Sequence, residues 1–336
     1  METNDRLAPP PTYPGPQVDG AVLSGASVAA APRAEVGGKA ANLAAMAASG
    51  LPVPPFFVVT SPAFTQHVAA NAIPWPDLDQ AAWVAATRQR IRTDPVPGTV
   101  ATEVTAAYLR LVTDSGREAV AVRSSAAVED GSSASFAGQF SSVLNVSGEV
   151  AVLAALRECW ASSLSDRSLA YRSTAAAPAG GPLPAEAGFA VVIQTQIDAR
   201  SAGVLFTVHP VDPDSGTAYL EANFGTGESV VGGLVTPDGL TLSREGGGVV
   251  DAFVARKRRM TTLAGGREVL VDVDPSCQEA PVLTDDQAAA VLALGLQVET
   301  LFGVPQDVEW AYDDQALWLL QARPITTLPT RPGGSS

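Results

Sequence analysis

Followed by its alternation of apolar and polar positions, the chain breaks into short β-type runs separated by helical ones. Segments rich in Val, Ile and Phe occur at 119–126 (AVAVRSSA), 189–197 (FAVVIQTQI) and 203–208 (GVLFTV), and the proline-punctuated LPVPPFFVVT (51–60) leads into a further strand. The clearest helix starts at Thr284. Thr284 and Gln287 have capping-box spacing, Val291, Leu294, Val298 and Leu301 recur at helical intervals, and Gly303 supplies a stop. A second helix is expected over 150–172, and a third has Lys39 in its first turn and Gly50 as its stop. No internal repeat is visible and the two kinds of element alternate, so a mixed helix and sheet fold of the α+β type is expected. Residues 1–18, Pro-rich and aperiodic, and 329–336 read as tails. The Gly- and Pro-rich 177–188 reads as an exposed loop between two lobes, 19–188 and 189–328.

The stretch DVEWAYDDQALWLLQAR (307–323) reads as two strands joined by a short polar turn. Asp307 and Glu309 share one face, as do Gln321 and Arg323 on the returning strand. With the turn centred near Gln315, Glu309 falls opposite Gln321 and Asp307 opposite Arg323, each pair about 5 Å apart. The other face would carry Val308, Trp310, Tyr312, Trp318 and Leu320 as a core. Such a polar cluster suits Mg²⁺ with an Arg on a phosphate oxygen; a cross-strand ion pair on a solvated face explains the same pattern.

Composition narrows the options. With 46% hydrophobic residues in 336, and Gly and Pro at 30 and 26, most of the chain should fold. No apolar run reaches the roughly 18 residues of a membrane span, and the N-terminus lacks a signal-peptide core, so a cytoplasmic protein without membrane partners is expected. Two Cys and two His supply neither a disulfide framework nor a zinc centre. His67 is expected to be exposed and His209, before a proline, to be a turn residue. A net charge of −14 disfavours nucleic acid, and RKRR (256–259) reads as a solvated strand end or loop.

Three further segments carry candidate chemistry. In EVGGKAANLAAMAASG, glycines precede a helix whose first turn holds Lys39, a position that favours a bound anion, although a Walker loop is excluded by Arg33 and Ala40. In AVRSSAAVEDGSSASFAGQF (121–140) a strand is expected to end at Arg123 and run into a loop of small residues roomy enough for polyphosphate; a surface turn with a salt-bridged Arg is the alternative. The GTGE of YLEANFGTGESVVGGLVTPDG lacks the spacing of a dinucleotide fingerprint.

In order along the chain, VGGKAANLAAMAASGLPVPP, AVRSSAAVEDGSSASFAGQF, CWASSLSDRSLAYR, SAGVLFTVHPVDPDSG, EANFGTGESVVGGLVTPD and DVEWAYDDQALWLLQARPIT span about 290 residues. Together they resemble the N-terminal nucleotide-binding domain shared by phosphoenolpyruvate synthase, pyruvate phosphate dikinase and rifampin phosphotransferase. That resemblance implies an ATP-grasp fold of two lobes with ATP in the cleft between them. It implies that Lys39, with Gly38 beside it, and Arg123 contact the phosphates, under a loop from Ser132 to Gln139 that includes Ser135 and Gly138. It further implies Mg²⁺ on Glu309 and Gln321, Arg323 on the transferred phosphoryl group, and Asp307 orienting that face. Gln194, Thr195, Gln196 and Ile197 would form the adenine hinge and Glu221 would lie near the ribose.

The implied activity splits ATP to AMP and inorganic phosphate and passes the β-phosphoryl group to a histidine. The family's histidine and acceptor domains would begin just after ARPIT, so the expectation is a free-standing domain serving a separate phosphohistidine-domain protein and an acceptor-binding protein. Phenylphosphate synthase looks like such a divided system. Phe56, Ala127, Gln196 and His209 depart from the family's usual Gly, Thr, Met and Asp or Asn, and none of these positions supplies a phosphate or metal group. Two rival readings are a direct small-molecule kinase with the same fold and a non-catalytic nucleotide-binding regulatory module. The intact set of Lys39, Arg123, Glu309, Gln321 and Arg323 argues against the second, because buried charges are costly to keep without use.

Overall fold

The computed structural model describes residues 20–74, 81–126, 142–164, 189–264 and 267–326. The expected tails, the 177–188 loop, Ala127 and the Ser132–Gln139 segment lie outside these residues. In chain order the first elements are β1 (Val22–Ser24), α1 (Ala26–Ala30), α2 (Arg33–Ala48), β2 (Phe56–Val59), α3 (Ser61–Ala70), α4 (Ala81–Thr93), α5 (Gly98–Ser115), β3 (Val120–Ala126), β4 (Ser142–Val146), α6 (Glu149–Ser162) and β5 (Phe189–Thr195). There follow β6 (Ser201–Phe206), β7 (Thr217–Phe224), α7 (Glu228–Val231), β8 (Asp238–Ser243), β9 (Val249–Phe253), β10 (Arg259–Ala264), β11 (Arg267–Asp272), α8 (Asp285–Phe302), β12 (Gln306–Tyr312) and β13 (Leu317–Pro324).

Two antiparallel sheets organise these elements, one in the order β1-β2-β5-β3-β4 and one in the order β13-β12-β6-β7-β8-β9; β10 and β11 form a separate hairpin. Strand alternation assigns the two faces of the first sheet. Phe57, Val59, Val120, Val122, Val191 and Ile193 pack against α3, α5 and α6, whereas Val58, Ala190 and Val192 pack against α2. The cluster around α2 continues into the back of the second sheet through Leu205, Leu220, Val308 and Trp310, and α8 covers that back.

Helix α8 begins and ends as its sequence dictates. Thr284 Oγ1 accepts from Gln287 N, Gln287 Oε1 accepts from Thr284 N, and Gly303 closes the helix in the left-handed conformation. The helix expected over 150–172 is α6, which ends at Ser162 and is followed by a turn through Leu164; the rest of that span lies outside the described residues. β3 continues three residues beyond Arg123, because Ser124, Ser125 and Ala126 stay paired with β5. β5, expected to open a second lobe at 189, is instead buried on both faces between β2 and β3. The chain therefore crosses to the second sheet at 196–200.

Two polar residues are buried where exposure was expected. His67 is fully buried, its Nε2 3.2 Å from Ile91 O and its ring stacked on Trp160, and burial pulls its pKa below the usual histidine range. Within 256–259, Lys257 is 1% exposed, donates to Asp238 Oδ1 at 2.5 Å, and lies over the Phe224 ring. Asp238 also accepts from Ala255 N and Val282 N, so this pair closes the loops beside β8. His209 occupies the expected turn, with Nδ1 accepting from Val211 N and Asp212 N.

Beside the crossover, Arg117 Nη2 donates to Asp313 Oδ2 at 2.6 Å, linking the segment before β3 to the β12–β13 turn. The indole of Trp318 donates to the same oxygen at 3.1 Å. Burial alone would raise the Asp313 carboxyl, but the Gln315 and Ala316 N–H groups, Arg117 and Trp318 hold it down at about 2. With a folded value below the ordinary one of about 4, the stabilisation is complete above that pH and is lost as pH falls toward 2. The stability advantage of the wild type over Asp313→Asn, measured by urea unfolding at a series of pH values, should therefore shrink as pH drops from about 4 to about 2. Parallel pH curves for the two proteins would reject the strut.

Candidate functional site

The site starts from a break in α2. At Gly37 the backbone adopts φ 77° and ψ 170°, and helical geometry resumes at Gly38, so Lys39 lies in the first turn of the restarted helix. A Cβ at position 37 would sit 2.0 Å from the Ser125 carbonyl oxygen, and glycine is required on both counts. Ser125 Oγ donates to Val36 O and accepts from Ala40 N, so a serine of β3 caps the restarted helix. Lys39, 7% exposed, donates from Nζ to Ser124 O at 3.0 Å.

The other half lies on the second sheet. Its register places Gln321, Glu309, Val204 and Glu221 in one row across β13, β12, β6 and β7. The neighbouring row holds Arg323, Asp307, Phe206 and Tyr219 on the same face. Both expected hairpin pairings are present. A bulge after Glu309 leaves Leu320 unpaired, so Trp310 faces Leu319 instead of Leu320. That slip corrects the expected core face: Leu317 and Leu319 join Val308, Trp310 and Tyr312 behind the sheet, whereas Trp318 and Leu320 turn to the front with Ile197, Ala202 and Ala311. The front is thus polar at 307, 309, 321 and 323 and apolar toward the crossover.

Arg323 grips Asp307 Oδ2 with Nε at 2.8 Å and Nη2 at 2.7 Å. Burial nevertheless raises the Asp307 carboxyl above its ordinary range, against the pull of Arg323, and its Oδ1 is buried without a hydrogen-bond partner. Glu221 is raised by burial and then by the Asp307 charge. From the first sheet, Arg123 Nη1 lies 3.5 Å from Glu309 Oε2, and its Nε is buried without a partner. The charged groups are therefore gathered, enclosed and incompletely satisfied.

Gln194 lies on the α2 side of β5, the face that also carries Arg123, and is 1% exposed with an unpartnered Nε2; the hydroxyl of Thr195 is likewise buried and unpartnered. The Gln196 amide is committed to Asn145 N and Ile197 O. Ser135, Gly138 and Gln139 lie outside the described residues. Asn42, unnoticed as a site residue, donates to Ala322 O at 2.9 Å and ties α2 between Gln321 and Arg323. Its signal was present, as a lone amide in the apolar run of GKAANLAAMAA.

The family described as pyruvate phosphate dikinase, AMP/ATP-binding domain, matches residues 33–335. The chain belongs to this family. Among its curated relatives, a rifampicin phosphotransferase of Streptomyces sp is 40% identical over 90% of this chain and 35% of its own length. A probable phosphoenolpyruvate synthase of Methanothermobacter thermautotrophicus is 36% identical over 87% of the chain and 44% of its own length. The prodigiosin synthesizing transferase PigC of Serratia marcescens is 35% identical over 87% and 32%. The chain thus spans less than half the length of these relatives. Membership in the dikinase AMP/ATP-binding family accords with an α+β architecture, and no described helix is long and apolar enough to cross a membrane.

The kink at Gly37 is the most exacting local geometry of this site. Gly37→Ala should lower stability by roughly 2–4 kcal/mol through clash and forced left-handed backbone, read by thermal unfolding. An unchanged melting temperature would mean that the kink relaxes without cost.

Proposed function

We propose that this chain is the ATP-binding, phosphoryl-donating part of a dikinase-type phosphotransferase, an ATP-grasp fold holding ATP between its two sheets. The observation that carries the reading is the convergence of Glu309 opposite Gln321 and Asp307 opposite Arg323 on one sheet face, with Arg123 of the other sheet 3.5 Å from Glu309. Polyphosphate needs fixed cations, and Lys39, Arg123 and Arg323 supply them from three different elements. The unpartnered Nε of Arg123 leaves donor capacity for a phosphate oxygen.

Mg²⁺ fits these residues. Glu309 and Gln321 offer hard oxygen donors directly opposite one another, and among the described residues no group of three His, Cys, Asp or Glu forms a closed cage. Phosphate oxygens and water would complete the coordination, and the bound cation would neutralise phosphate charge. In this reading Lys39 and Arg123 hold the polyphosphate, Arg323 holds the phosphoryl group in transfer, and Asp307 fixes the Arg323 fork through its two hydrogen bonds. The apolar patch of Ile197, Ala202, Ala311, Trp318 and Leu320 receives the adenine beside the Gln194–Ile197 hinge, with Glu221 toward the ribose. ATP is split to AMP and inorganic phosphate, and the β-phosphoryl group passes to a histidine on a separate polypeptide that serves an acceptor-binding protein in the cytoplasm.

Calorimetry with ATP tests the metal role. Affinity should fall by roughly tenfold or more when EDTA replaces Mg²⁺, since phosphate and the Glu309 and Asp307 carboxylates then repel without a neutralising cation. Glu309→Gln should remove that metal-dependent gain and keep its melting temperature within a few degrees; it is a cleaner variant than Arg323→Ala, which strands the buried Asp307. Equal affinity in EDTA would reject the metal site.

Product analysis tests the reaction. With a phosphohistidine-domain partner present, nucleotide chromatography should show AMP and inorganic phosphate, and the chain alone should consume little ATP. ADP as sole product would instead establish a direct kinase.

A further inference from the structure

A run of prolines interrupts the first sheet at the crossover. β2 and β5 pair in the register Phe56↔Gln194, which sets Pro55 opposite Thr195, and Thr195 N donates to Pro55 O at 2.9 Å. Residues facing each other in this way across an antiparallel ladder exchange both N–H···O=C bonds. Pro55 has no N–H, so the return bond to Thr195 O is missing. The residues before it supply no substitute: Pro52 and Pro54 also lack an N–H, and that of Val53 donates to Leu51 O at 2.8 Å.

Toward β3 the ladder runs one residue further, with Gln196 N donating to Ala119 O at 2.9 Å. The chain is therefore still extended at 196, and the main-chain groups of Thr195 and Ile197 point to the same edge, away from β3. Among the described residues Ile197 N makes no hydrogen bond. Ile197 O is engaged by the Gln196 side chain, whose Nε2 donates at 3.2 Å and whose Oε1 accepts from Asn145 N at 3.3 Å, so both ends of that amide are assigned by their partners. One acceptor, Thr195 O, and one donor, Ile197 N, remain open on this edge. The edge borders the apolar front patch: Ile197 belongs to that patch, and Leu319, between its members Trp318 and Leu320, donates to Pro52 O at 2.8 Å.

We propose that Pro55 is a specificity-determining residue: by withholding an N–H it keeps Thr195 O open, and Thr195 O with Ile197 N reads the 6-amino group and N1 of a 6-aminopurine. The inference rests on the ATP-site reading above and adds which hinge atoms select the base. Adenine presents a donor at its 6-amino group beside an acceptor at N1, the complement of this pair. Hypoxanthine and guanine present an oxygen and an N1–H there, which sets acceptor against acceptor and donor against donor. The apolar patch holds the ring faces whatever the edge carries. The Gln196 amide sharpens the choice, because Ile197 O, the acceptor that a shifted base would use, is already engaged.

Calorimetry with the full chain tests this by comparing Mg·ATP with Mg·ITP, which differ only at positions 1 and 6 of the base. The wild type should favour ATP by about tenfold or more, and Pro55→Ala, which restores an N–H opposite Thr195 O, should cut that preference by about threefold or more. Pro54→Ala should leave it within about twofold, since neighbouring residues of an extended chain face opposite ways and Pro54 is buried where Pro55 is exposed. A general loss of stability weakens both nucleotides alike and does not move this ratio. With the wild type alone, N6,N6-dimethyl-ATP and 1-deaza-ATP, which remove the donor and the acceptor in turn, should each bind about tenfold more weakly than ATP. ITP bound as tightly as ATP, undiminished binding of either analogue, an unchanged preference in Pro55→Ala or an equal fall in Pro54→Ala overturns the inference and leaves the ATP site standing. Binding of neither Mg·ATP nor Mg·ITP by the wild type overturns the ATP-site reading and this inference with it.

Discussion

Helix α2 has almost no face that water can wet, and much of the molecule is arranged around that constraint. Its buried residues, Val36 through Ala40, Asn42 to Ala44 and Met46, point in all directions, and four of these nine are Gly or Ala. Such a helix must be enclosed. The first sheet covers it through Val58, Ala190 and Val192, and the edge of the second sheet through β13. Small side chains let both approach its axis closely, which is why its backbone can be capped by a serine of β3 and its Asn42 can reach a carbonyl of β13. The segment after it does the same with Pro52 O, which accepts from Leu319 N. An otherwise open sheet edge is thereby closed by the element that carries Lys39.

Enclosure has an electrostatic consequence. Lys39 comes from α2, Arg123 from β3, Arg323 from β13, and the carboxylates Glu221, Asp307 and Glu309 from two strands of the second sheet. No element could bury its own charge alone. Gathered together they offset one another, but only in part: Asp307 and Glu221 are raised by burial, and Asp307 Oδ1 and Arg123 Nε lack partners. A purely structural network would satisfy these atoms, because an unpaired buried polar group costs about 1–3 kcal/mol. The residual dissatisfaction is what a polyanion with its cation would relieve.

Much of this was readable beforehand because it depends on local rules. The α8 caps follow from Thr284, Gln287 and Gly303, and the pairing of Asp307 with Arg323 and Glu309 with Gln321 follows from period-two alternation around one turn. What the chain hid was non-local. Trp318 and Leu320 were assigned to the wrong face because a single bulged residue reverses parity beyond it, and nothing in LWLLQ marks the bulge. Lys257 looked like one of four solvated cations; only the fold brings Asp238 to it. His67 sits in a polar-looking helix, and its burial is decided by Ile91 and Trp160, one from each of two other helices. β5 seemed to start a new lobe after a Gly- and Pro-rich loop, yet its partners precede it by dozens of residues.

A site divided between two sheets is only as exact as the joints between them. Among the described residues three kinds of joint are present, and they resist different displacements. The Arg117–Asp313–Trp318 strut stands beside the 196–200 crossover and opposes separation at the hinge end. The α2 contacts to Ala322 and Leu319 oppose sliding of β13 past Lys39. The β10–β11 hairpin spans the far side, from the FGTGE loop to β4. The first two are short, well-formed bonds among buried or half-buried groups, whereas the third meets the first sheet only at an edge strand. Motion between the sheets would therefore pivot about the crossover and α2 and open at the hairpin, where Arg123 and Glu309 face each other at 3.5 Å. That separation is longer than the 2.7 Å grip of Arg323 on Asp307 within one sheet, as expected when a pair spans the opening and not the joint.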